Sequence, residues 1–99
     1  MKTLVIYLEE RDLLALCERT GKQPKDFTRV DGMQKGEGFR DCLVITLPRF
    51  NWSFRNAGEF IATKRSLERR GCVFVSVGSE ALKDRAFNLA AYLESVRPK

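Results

Sequence analysis

The chain predicts an α/β fold, a three-layer sandwich around a mainly parallel four-stranded sheet. Three observations carry that reading. Short β-branched, apolar runs at residues 3–8, 42–47 and 72–77 have the length and composition of strands buried on both faces. Segments with the 3/4 apolar spacing of helices alternate with them. With 99 residues, 43% of them hydrophobic, there is material for one core and not for two, so residues 1–99 read as a single domain.

Taken in order, residues 3–8 form the first strand, stopped by the charged Glu9, Glu10, Arg11 and Asp12. Residues 11–20 change period: Leu13, Leu16 and Cys17 fall at i, i+3, i+4, and Gly21 sits where a helix ends in a left-handed residue. A polar turn at residues 22–26 leads to a short edge strand at 27–30. Residues 31–38, DGMQKGEG, hold too little apolar surface to offset ordering entropy and read as a mobile loop. Residues 42–47 are the clearest buried strand, ended by Pro48, which has no N–H for the ladder.

A second helix follows. Ser53 or Asn56 can cap it, Asn56 and Glu59 have capping-box spacing, Phe60, Ile61 and Leu67 mark its buried side, and Gly71 closes it. After the strand at 72–77, a last helix starts between Ser79 and Asp84. Leu82, Ala86, Leu89, Ala90, Leu93 and Val96 keep helical spacing to the Pro98 stop. Phe87, Ala91 and Tyr92 widen its apolar arc, which makes Leu89, Tyr92, Leu93 and Val96 candidates for a self-association face; the alternative is that both flanks pack inside the domain.

Composition narrows the function. A formal charge of +5 favours association with polyanions, although it also serves plain solubility. Histidine is absent, which removes the usual neutral-pH acid/base and the commonest metal ligand, so neither a metal nor a cofactor is expected. Cys17, Cys42 and Cys72 are widely spaced among apolar neighbours and read as buried, reduced thiols. The first apolar run is too short for a signal peptide or a membrane span, so a cytoplasmic protein without membrane contact is expected.

Residues 41–77, DCLVITLPRFNWSFRNAGEFIATKRSLERRGCVFVSV, resemble the central part of the serine recombinase (resolvase/invertase) catalytic domain. That family has a buried strand, an LDRLGRS-like turn, a helix ending in a basic-Gly pair, and a strand similar to GVxFVSL. The counterparts here are residues 43–47, 48–53, 56–70 and 71–77; residues 86–91 resemble the start of the family's next helix, and residues 1–7 its first strand. About two thirds of the chain is covered, and the match fails between Gly21 and Asp41. The resemblance implies a resolvase-like fold.

It does not carry over the chemistry. The family's first strand ends in Tyr-x-Arg-x-Ser, whose serine attacks a DNA phosphodiester while arginines stabilise the charge that develops. Here Tyr7 is followed by Glu9 at the arginine position and Arg11 at the serine position. In the later turn Pro48 replaces an aspartate, Asn51 a glycine and Trp52 an arginine, leaving Arg49 as the surviving match. A guanidinium cannot be the nucleophile, and the carboxylate of Glu9 would repel a phosphate. No catalytic residue and no strand cleavage are expected. The chain stops near the first part of the family's dimerisation helix without a helix-turn-helix domain, so neither synapsis nor sequence-specific DNA binding of the family's kind is expected either.

The best remaining surface is residues 48–55, a strand-to-helix turn in which Phe50, Trp52 and Phe54 alternate with Arg49 and Arg55. Such a turn can hold a protein partner through Trp and Arg, or stack bases and hold phosphates. The alternative places Phe50 and Phe54 in the core and Trp52 over a helix end. Arg65 and Arg69 share a helical face at i, i+4 and are a second candidate contact for nucleic acid. The expected function is therefore a non-catalytic, recombinase-like binding or regulatory protein, acting on a protein partner or by homodimerisation, of the kind found in phages and other mobile elements. The alternative is weak, sequence-independent nucleic-acid binding.

Overall fold

The computed structural model describes residues 2–30 and 38–98; the expected loop at 31–38 falls outside them except for Gly38. The strands are β1 (Thr3–Ile6), β2 (Phe27–Arg29), β3 (Leu43–Thr46) and β4 (Val73–Ser76). All pair in parallel in the order β2-β1-β3-β4. β1 and β3 sit centrally and are buried throughout, as their uninterrupted apolar sequences require, whereas the edge strands β2 and β4 are partly exposed. The sequence expected a mainly parallel sheet; among the described residues it is wholly parallel.

Helices cover both faces. On one side α1 (Glu10–Thr20), α3 (Ser79–Lys83) and α4 (Leu89–Val96) bury Leu13, Leu16, Leu82, Leu89 and Leu93 against Val5, Leu43, Ile45 and Val75. On the other, α2 (Ala57–Arg69) and the turn before it pack Leu67 and Phe54 on Leu4, Ile6 and Val44. This division follows from handedness. The chain moves one way from β1 to β2 and the other way from β3 to β4, so crossovers of a single hand put α1 and α2 on opposite faces.

Local signals set most boundaries. Gly21 adopts φ 72° and its N–H returns to the Cys17 carbonyl, closing α1. Asn56, of the two possible caps, starts α2 by accepting the Glu59 N–H at 2.9 Å. Gly71 takes φ 85°, and any Cβ there would collide with the Asp41 carboxylate.

Two expectations fail. Ile61 was placed on the buried side of α2 and is 46% exposed; the face toward the sheet runs through Phe60, Thr63 and Leu67 instead, with the Thr63 hydroxyl donating to the Glu59 carbonyl at 3.0 Å so that it can be buried. The continuous last helix is broken into α3 and α4. Asp84 Oδ1 accepts the Ala86 N–H and Asn88 Oδ1 accepts the Ala91 N–H, both at 3.0 Å, so two polar side chains stop one helix and cap the next. Arg19 of α1 secures the break by donating to the carbonyls of Ala81 at 2.9 Å and Leu82 at 3.2 Å, and to that of Phe87.

Candidate functional site

In a sheet of order β2-β1-β3-β4 the strand order reverses between β1 and β3, and the crevice beyond their C-terminal ends is where open α/β sheets place ligands. Glu9 follows β1 and Arg49 follows β3, so the switch brings them together. The Arg49 Nε lies 3.0 Å from Glu9 Oε1, and an Arg49 terminal nitrogen donates to Asp12 Oδ2 at 3.2 Å. The Nε contact is an ion pair by proximity: its N–H has no aligned hydrogen-bond acceptor. Glu9 also pairs with the exposed Arg11.

Asp12 is buried on the first turn of α1 with its side chain 12% exposed, against 32% for Arg49. A carboxylate so far from water needs a cation, and Arg49 supplies it. Arg49 reaches inward because its backbone adopts φ 60° and ψ 20°, a left-handed conformation unusual for a residue with a side chain. Beside this network opens a cavity of about 270 Å³ lined by Arg11, Asp12, Arg49, Ser79, Leu82 and Lys83. The lining holds Arg11, Arg49 and Lys83 with Asp12; counting Glu9, the partner of Arg11 and Arg49, the group carries one net positive charge. Tyr7, at the end of β1, is covered on its ring face by the Arg29 guanidinium at 4.3 Å. Among the described residues no group of three or more His, Cys, Asp or Glu could hold a metal ion.

The aromatic-basic turn divides as its sequence allowed. Phe54 is buried and Phe50 half-buried; both pack on Phe60 of α2, with ring centroids 5.3 and 4.9 Å away. Residues Phe50–Ser53 form a 3-10 turn, and the Ser53 hydroxyl donates to the Phe50 carbonyl at 2.7 Å. Trp52 stays out of the core. It is 68% exposed at the outer side of an anchored turn, with Arg55 exposed three residues on.

The other candidates are not gathered there. Arg65 and Arg69 are exposed on α2, which at 1.5 Å per residue carries Arg69 about 20 Å from the Asn56 cap. The four self-association residues also separate. Leu89 and Leu93 belong to the core, and Val96 is partly buried against it. Tyr92 is exposed and pairs with the Phe87 ring at 5.6 Å. The wide apolar arc of the last helix thus serves intramolecular packing on the Leu89 and Leu93 side, because a domain this small needs that helix to close its core.

Sequence reading missed Asp12, Ser79 and Lys83 as crevice residues. Asp12 had a signal, an acidic residue three positions after Glu9 on the first helical turn, facing the same way as Leu13 and Leu16. Ser79 and Lys83 had none, since only the strand order brings the start of α3 to this rim. Comparison with known protein families, curated proteins and solved structures returns no match for this chain.

Proposed function

We propose that this chain is a non-catalytic binding protein that contacts a protein partner through the turn at residues 49–55, with Trp52 as its anchor. The observation that carries this reading is a Trp side chain held 68% exposed on a turn whose other aromatic residues are pinned to α2. A large apolar side chain gains about 2 kcal/mol or more on burial. One presented on an anchored turn loses little further freedom when a partner covers it, which is the character of a binding hot spot.

The crevice supports the same reading. A site that stabilises a transferring phosphoryl group needs cations free to face it. Here the Arg49 guanidinium is committed to Glu9 and Asp12. Arg11 stands at the position that the resemblance would give the attacking serine. Self-association through the last helix retains Tyr92 and Phe87 as exposed aromatic contacts, a smaller surface than four aligned residues would have offered.

A second reading, sequence-independent binding of single-stranded nucleic acid, is favoured by the exposure of Trp52 and Arg55 on one turn in a chain of net charge +5. One experiment separates the two. Protein carrying Trp52→Ala with Arg55→Ala, and protein carrying Arg65→Ala with Arg69→Ala, are compared with the unchanged chain for capture of a saturable partner from a lysate of the source cells and for binding of labelled oligonucleotides across a salt series. The protein-partner reading expects capture lost with the turn variant and kept with the helix variant, and no oligonucleotide binding at physiological salt. Capture that persists without Trp52 and Arg55 contradicts it; a steep salt-dependent oligonucleotide affinity lost with the turn variant would replace it with the second reading.

A further inference from the structure

β3 and β4 pair with Leu43 opposite Val73, so the residues one step earlier, Cys42 and Cys72, stand opposite each other at the N-terminal rim of the sheet. The Val73 N–H donates to the Cys42 carbonyl at 3.0 Å, which carries the ladder down to this pair. Both side chains belong to the cluster that includes Val44 and Leu67, so both point to the α2 face. Neighbouring strands lie about 4.8 Å apart, within the Cα separation of about 4.4–6.8 Å that a disulfide spans. The Cys42 thiol donates to the Arg40 carbonyl at 3.2 Å, and the Cys72 thiol lies close enough to act on it electrostatically. Cys17 lies in the cluster on the opposite face of the sheet and cannot compete.

We propose that Cys42 and Cys72 are a reversible disulfide site, closed by exchange with a low-molecular-weight disulfide. The thiolate of one cysteine attacks the small disulfide, forming a mixed disulfide and releasing one small thiolate. The second cysteine, deprotonated, attacks the protein sulfur of that adduct and expels the other. The balance is one protein S–S bond formed, one small-molecule S–S bond broken, two electrons passed to the oxidant and two protons passed to its two thiolates. Access comes from the rim, where Asp41 and Gly71, the neighbours of the two cysteines, are exposed. Burial pushes the Cys42 thiol up, with the Cys72 thiol next in effect, so little thiolate is present at neutral pH and the pair closes slowly. The closed bond encloses residues 42–72, which hold β3, the 3-10 turn and α2, and fastens the edge strand β4 to the sheet. It depends on neither reading of the crevice or of Trp52.

The test uses the whole folded chain at neutral pH with excess oxidised glutathione. Free thiols should fall from three to one. The intact mass should drop by two hydrogens, and the tryptic peptides spanning 41–49 and 71–83 should be joined. The thermal midpoint should rise by about 10 °C, reversed by dithiothreitol. A Cys17→Ser variant should close the same bond. Three thiols surviving under native conditions, a stable glutathione adduct that never resolves, or joined peptides appearing only in urea would overturn the proposal.

Discussion

Arg49 combines two opposed effects in one residue. Its left-handed backbone costs about 1 kcal/mol relative to a residue in an ordinary region, while its guanidinium compensates the buried carboxylate of Asp12. The two can be separated by substitution. Arg49→Ala keeps the strain and removes the ion pairs, and should lower stability by about 2 kcal/mol. Arg49→Gly loses the same pairs but relieves the backbone, and should lie about 1 kcal/mol above the alanine variant. Urea midpoints at unchanged m-value measure both; an alanine variant as stable as the glycine one would show that the left-handed conformation carries no cost here. At this scale the sequence was legible where a residue's role is local. Gly21, Gly71 and Asn56 each act within a few positions of themselves, and each sits where its chemistry predicted. Asp12 was not legible, because its partner lies 37 positions away and meets it only once the sheet has formed.

Among the elements, every expected strand is present, trimmed by one or two residues at its ends, because a run of β-branched residues fixes the strand but not where its last ladder bond falls. The last helix shows what apolar spacing cannot see. Leu82, Leu89 and Leu93 keep a helical period across the break, since all three must face the same sheet. The break itself is made by the side chains of Asp84 and Asn88, which compete with the backbone for its own hydrogen bonds. Arg19 ties α1 to both sides of that break through three carbonyls. Arg19→Ala should therefore cost about 2 kcal/mol and raise hydrogen exchange in α3 and α4 more than in α2. Uniform destabilisation across all helices would show that these bonds do not hold the break together.

For the molecule as a whole, strand order decides where function can reside. Apolar runs and spacing indicated strands and helices; that Glu9, Arg11 and Arg49 meet in one crevice was implied by the resemblance alone, and the adjacency of β1 and β3 is what brings it about. That adjacency turns Glu9, Asp12 and Arg49 from scattered charges into one ion-pair network at the rim of a cavity, with Trp52 exposed on the turn that follows Arg49. No helix among the described residues is long and apolar enough to cross a membrane. The proposed absence of phosphodiester cleavage is tested most directly on supercoiled plasmid, incubated with the purified chain with and without divalent metal at low and physiological salt. The prediction is that the plasmid stays supercoiled throughout. Open-circular product made by the unchanged protein, and lost in both Arg49→Ala and Ser79→Ala, where Ser79 is the one hydroxyl lining the cavity among the described residues, would contradict it.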